Sequence, residues 1–165
     1  MVDRARLERL QPALLDRLID DAPDQRIETN AAWIIDINRL RDIIQRDLHW
    51  LLNTTNLQAD TDLGQFPEAA RSVLNFGIAD VSGITATNTR AIEIQQAIRV
   101  AIEQFEPRLL PNTLEVVIHE QKDVRGGLFS FDIRAELWAE PVPLDLYLRT
   151  QLDVTTGEVT VHRQG

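Results

Sequence analysis

The side chains able to carry acid–base or metal chemistry in this 165-residue chain are 26 carboxylates and three histidines; there is no cysteine. Glycoside hydrolysis needs two carboxyl groups at a set separation across one bond. Glu106 with Glu120 or Asp132 could form such a pair, but carboxylates are so numerous here that pairs arise by coincidence. The aromatic residues that usually line sugar clefts are few, and the alternation around Phe129 and Phe131 turns both inward. His49, His119 and His162 are far apart in sequence and lack the spacing to carboxylates that a metal site requires, so no metal is predicted. Gly126-Gly127 precedes a strand pattern rather than a helix, which makes it a hairpin turn and not a phosphate loop. No Gly-x-Ser-x-Gly occurs, and Ser72, Ser82 and Ser130 have no visible base partner. Neither a catalytic residue nor a cofactor is predicted.

One charged unit stands out by position. Glu106-Pro107-Arg108 falls where a helical pattern gives way to strands. Proline cannot continue a helix and biases the residue before it away from helical geometry, so the two opposite charges are set at a fixed corner. The spacing alone admits two readings, a local cap or ion pair and a corner whose exposed charges meet a partner.

The elements that position this corner can be read from periodicity. Leu7, Leu10, Leu14, Leu15 and Leu18 have helical spacing broken by Pro12, which predicts a short helix, a kink and a second helix. The polar stretch after Asp20 reads as a linker to about Asn30, so residues 1–30 form an arm and linker and 31–165 the main domain. The arm's face of Leu10, Leu14 and Leu18 either lies on its own domain or docks on a neighbour. Asp36 is placed to cap a helix running to about Asn53, with Ile37, Leu40, Ile44, Leu48 and Leu51 inward and Ile43 and Leu52 widening that face. Asp42 and Arg46, four apart, are expected to pair on the solvated side. His49-Trp50, near its end, reads as a structural imidazole beside a packed indole. Ser72 to Ile78 is predicted as a short strand or extended segment. A further helix begins at Thr89 or Arg90, with Ala91, Ile94, Ile98, Ala101 and Phe105 inward, seconded by Ile92 and Ile102.

Beyond the corner the period changes to two. Leu114, Val116 and Ile118, then Phe129 to Leu137, predict a hairpin open to water on one face, and Leu144 to Leu152 with Val159 and Val161 continue it. Trp138 alternates onto the opposite face from Phe129, as a binding anchor or under a covering loop. Helices first and strands afterwards argue an α+β fold, its helices packed on one side of a small three- to four-stranded antiparallel sheet. The length suits one domain with a short extra segment. With 17 Lys and Arg against 26 acids the net charge is −9, which disfavours nucleic acid and anionic membrane as partners. No apolar run approaches the roughly 18 residues of a membrane span, and the amino terminus is charged where a signal peptide would be apolar. A cytoplasmic location without direct membrane insertion is expected.

Four segments, in order, carry a family resemblance: Leu10-Gln11-Pro12-Ala13-Leu14-Leu15-Asp16-Arg17-Leu18, Arg46-Asp47-Leu48-His49-Trp50-Leu51-Leu52-Asn53-Thr54, Ser72-Val73-Leu74-Asn75-Phe76-Gly77 with Ser82-Gly83, and Phe105-Glu106-Pro107-Arg108-Leu109. Together they resemble TssE, the small baseplate subunit of bacterial type VI secretion systems, similar in fold to a wedge protein of contractile phage tails. Ala79, where the family often has proline, and His49, often acidic there, depart from the pattern. The resemblance implies a non-enzymatic cytoplasmic subunit of a membrane-docked baseplate that joins TssF, TssG and TssK and helps start polymerisation of the TssB–TssC sheath. It also implies that Glu106, Pro107 and Arg108 bind a partner. The family's "lysozyme-like" label denotes similarity and not hydrolysis. A baseplate protein of another contractile injection machine and a cell-wall glycoside hydrolase are the alternatives.

Overall fold

The computed structural model describes residues 13–18, 24, 37–85, 87–119, 127–138 and 143–163. Four α-helices occur among them: α1 Leu14–Leu18, α2 Ile37–Leu52, α3 Pro67–Arg71 and α4 Asn88–Phe105. Four strands follow: β1 Glu115–His119, β2 Leu128–Leu137, β3 Leu144–Asp153 and β4 Val159–Arg163. They form one antiparallel meander in the order β1-β2-β3-β4. The α+β architecture expected from the change of period is the one observed.

Helices α2 and α4 form the core because their apolar stripes face the same side of this sheet, α2 against β4 and α4 against β1. Leu40, Ile44, Leu48, Leu51 and Leu52 of α2 meet Ile94, Ile98 and Ile102 of α4 over Phe131, Ile133, Leu148 and Leu152. Each such side chain taken fully out of water contributes roughly 1.5–3 kcal/mol before entropy is counted. Ile92 departs from the expectation: it is exposed on α4 while Ile102 is buried. Thr87 caps α4, its hydroxyl accepting from the Arg90 amide, so the helix starts at Asn88, one to two residues earlier than periodicity indicates. The expected cap at Asp36, the first arm helix with Leu7 and Leu10, the linker apart from Asp24, and Gly126 lie outside the described residues.

Ser72 to Ile78 forms neither the strand nor the continuous extended segment expected, though Ser72 and Phe76 are themselves extended. Val73–Asn75 is a 3-10 turn, started by the Ser72 hydroxyl accepting from the Leu74 amide. The buried Asn75 side chain holds the turn, accepting from the Gln58 amide and donating to the Ala70 carbonyl. These side-chain bonds replace a ladder, so β-forming Val73 and Leu74 point into solvent. Only Ile78 makes a bridge, parallel to Thr55. Gly77 permits it with φ of 118°, and a Cβ there would lie 2.1 Å from the Thr54 carbonyl oxygen.

The sheet face away from the helices is less open than expected. Ser130 and Asp132 are buried on it, and Asp132 accepts from Tyr147 Oη at 2.8 Å and Arg149 Nε at 2.8 Å. The Arg149 hydrogen bond, with help from Tyr147, outweighs burial and holds the Asp132 carboxyl below the usual carboxylate range. Both outer edges are partly capped by side chains on the helices or just beyond them. Asn53 pairs with both the N–H and the C=O of Val159, and Gln45 donates to the Val161 carbonyl on β4. On β1, Gln95 donates to the Val116 carbonyl.

Candidate functional site: a charged corner beside an apolar groove

The corner is built by three elements meeting. Glu106 ends α4, its N–H donating to the Ile102 carbonyl, and adopts φ −120° and ψ 75° ahead of Pro107. The chain then ties to the end of β2: the Leu110 amide donates to the Glu136 carbonyl and the Trp138 amide to the Arg108 carbonyl. This clamp fixes the backbone on both sides of Pro107, which leaves the side chains of Glu106 and Arg108 directed toward α2.

Glu106 is only 4% exposed, which overturns the expectation that both charges of the triplet project into solvent. A carboxylate can be buried when donors surround it. Arg108 supplies them, with Nε 2.6 Å from Oε1, Nη2 2.5 Å from Oε2, and its own amide 3.2 Å from Oε1. Nη2 also donates to Asp47 Oδ2 on α2 at 2.6 Å. Burial is the largest influence on the Arg108 guanidinium and works against its charge. Glu106 and then Asp47 together outweigh it, so its pKa lies above the ordinary arginine value. The local ion-pair reading of the triplet therefore describes the isolated chain, and Pro107 is its exposed member.

The pairing continues away from the corner. Asp47 accepts from Arg46 Nε and Nη2, and Arg46 Nη1 lies 2.7 Å from Asp16 Oδ1 on α1. Burial again opposes the charge on Arg46, and Asp16 and Asp47 outweigh it. The expected Asp42–Arg46 pair is not formed. Arg46 turns to the neighbouring and less exposed carboxylates, and Asp42 lies 3.4 Å from Arg163 instead. The Arg46 guanidinium sits 4.9 Å from the centre of the Trp50 ring, which is half exposed rather than packed. His49 faces Asn53, Nδ1 to Nδ2 at 3.2 Å.

A groove of about 210 Å³ opens beside this relay, lined by Leu15, Trp50, Leu51, Phe76 and Phe105 with Asp47, Glu106 and Arg108. Arg108 Nη1 is buried and has no acceptor among the described residues. Sequence reasoning missed Asp16, Arg46 and Asp47 as members of the site, because they lie on two helices remote from the triplet and only the third dimension joins them. Of the arm residues, Leu14 and Leu18 are 72% and 73% exposed, and Leu10 lies outside the described residues.

The structure sets Glu106 and Asp132 in separate networks. Asp132 is engaged by Arg149 and Tyr147 on the far face of the sheet, Glu106 is engaged by Arg108 beside the helices, and Glu120 lies outside the described residues. Among the described residues no group of three His, Asp or Glu is arranged to hold a metal, and no helix is long and apolar enough to cross a membrane. Trp138 is 64% exposed beside the corner, so no described helix or loop covers it.

Fold and site define a small α+β domain whose main polar construction is a corner of paired charges facing a groove. Residues 38–142 match the family model described as baseplate wedge protein gp25, a span that includes α2 from its second residue, α4, the corner and β2. The chain belongs to the baseplate wedge protein gp25 family. No curated protein and no solved structure matches it.

Proposed function

We propose that this chain is a TssE-type subunit of a type VI secretion baseplate, a structural component that joins TssF, TssG and TssK and helps start the TssB–TssC sheath from the cytoplasmic side of a membrane-docked complex. The observation that carries this reading is the Glu106-Pro107-Arg108 corner, which lies within the span matched by the wedge family and is clamped between α4 and β2. Membership of a baseplate family supports assembly with other baseplate proteins, and the order of the four TssE-like segments supports the type VI system over other contractile machines.

In this reading Pro107, Arg108 and the neighbouring Trp138 meet wedge proteins, while Glu106 holds Arg108 in position. Residues 1–30 act as an arm, with Leu10, Leu14 and Leu18 as its docking face, and 31–165 as the wedge domain. The sheath is seeded by strand addition at the β1 edge. Val159 and Val161 on β4 already use outward groups to bond Asn53 and Gln45, whereas on β1 Gln95 engages only the Val116 carbonyl among the described residues.

Co-purification tests the assignment. The tagged chain should retain TssF and TssG from its own organism, and a deletion strain should fail to form sheaths. Retention of neither protein, or lysis of cell-wall suspensions by the purified chain with loss of lysis on one Glu→Gln change, would replace it with another injection machine or with a hydrolase.

A further inference from the structure

The five-residue helix α1 is seated at the charged corner by its polar side. The Asp16 side chain is 7% exposed, whereas Leu14 and Leu18 are 72% and 73% exposed on the same helix. Leu15 lines the groove together with Phe76, Phe105 and Arg108. None of the α1 residues belongs to the hydrophobic core. A helix that leaves Leu14, Leu15 and Leu18 at least 46% exposed and seats one carboxylate is held loosely.

The three carboxylates of the relay are unequally held. Glu106 receives bonds from Arg108 Nε, Nη2 and the Arg108 amide, and Asp47 receives bonds from Arg46 Nε and Nη2 and from Arg108 Nη2. Asp16 receives one, from Arg46 Nη1, and its Oδ2 is buried without a donor among the described residues. A half-satisfied buried carboxylate is the member most readily exchanged, since leaving restores its hydration. The same site holds a donor with no acceptor among the described residues, Arg108 Nη1. A carboxylate placed to meet both Arg46 and Arg108 would satisfy more groups than Asp16 does.

We infer that α1 is a displaceable plug: in the free chain its Asp16 is seated on Arg46 and its Leu15 walls the corner groove, and both yield to a wedge-partner segment that carries an acidic side chain beside an apolar one. The inference rests on the corner being a partner surface. Seating of α1 lowers apparent partner affinity in proportion to the fraction of molecules in which α1 is displaced. It keeps Arg46 Nη1 paired until the intended partner, with a better fit, arrives.

Two measurements on the full chain test it. Without any partner, Arg46→Met breaks the latch at a position remote in sequence from Arg17. Tryptic cleavage after Arg17, followed by mass spectrometry, should accelerate at least about fivefold while circular dichroism is unchanged, since local opening controls cleavage. An unchanged rate would overturn the plug. With purified TssF–TssG as the probe, Asp16→Ala and Leu15→Ala/Asp16→Ala should bind roughly three- to tenfold tighter than the parent. Equal or weaker binding would overturn displacement and make α1 idle or part of the interface. Arg108→Ala, measured alongside at a temperature where it is folded, should bind more weakly. If it does not, the corner itself is no partner surface and the plug falls with it, an outcome separate from the partner-free cleavage result.

Discussion

Arg108→Ala should destabilise the domain by about 2–4 kcal/mol, well above the effect of an ordinary surface ion pair. The substitution removes two short charge-assisted hydrogen bonds from Glu106, leaving a carboxylate that is 4% exposed with, among the described residues, only the amide of residue 108 at 3.2 Å. Each such bond is worth roughly 1.5–3 kcal/mol when its partner is left behind. The sum is discounted because the Arg108 side chain is 27% exposed and water screens the pair in part. Glu106→Ala should cost less, about 1–2 kcal/mol, because Arg108 keeps Asp47 at 2.6 Å and can turn to solvent. The double variant should therefore cost less than the sum of the single changes, with a coupling on the order of 1–2 kcal/mol. Urea unfolding at pH 7, followed by far-ultraviolet circular dichroism, measures all four corners of the cycle. For a chain of this size the Arg108→Ala loss corresponds to a fall in Tm of roughly 5–15 °C. An Arg108→Ala chain within about 0.5 kcal/mol of the parent, or strictly additive single changes, would show that Glu106 is neither buried nor dependent on Arg108. Assembly assays on corner variants need this measurement beside them, since a lost interface and a lost fold would otherwise look alike.

Gly77→Ala should cost more than about 3 kcal/mol or abolish folding, because φ of 118° disfavours any Cβ and this one would meet the Thr54 carbonyl at 2.1 Å; a soluble variant with parental Tm would refute the geometry. Asp132 supplies a pH test. Its carboxyl is lowered in the folded state, chiefly by Arg149, so its contribution to stability is present above the unfolded value of about 3.9 and is lost as pH falls through the lower folded value. The stability gap between the parent and Asp132→Asn, read from urea midpoints at pH 7, 4 and 3, should narrow at the acid end. Parallel curves would show that the Arg149 and Tyr147 contacts do not stabilise the charged form.

The elements that local period governs were legible in the residues alone. Leu40, Ile44, Leu48 and Leu51 on α2, and Ala91, Ile94, Ile98 and Ala101 on α4, repeat at the helical interval because each helix needs one continuous apolar face, and all are buried. Phe129, Phe131 and Ile133 alternate because the sheet buries one face against those helices. The helix stop at Glu106-Pro107 was equally readable, since proline acts on its immediate neighbours.

Pairing between remote segments was not legible, and only the tertiary structure decided it. Arg46 had a plausible partner four residues back in Asp42, yet it bonds Asp47 and Asp16, because the arm and the corner converge on its side of α2. Val73 and Leu74 favour a strand by type, but the bonds of Asn75 to Gln58 and Ala70 hold a 3-10 turn there. Glu106 became a buried charge only because α4, the end of β2 and Asp47 enclose Arg108 beside it. Periodicity records how apolar burial is spread along one element, and neighbouring residues suffice to express it. The partner of a charge depends on distances between segments tens of residues apart, which no local pattern contains.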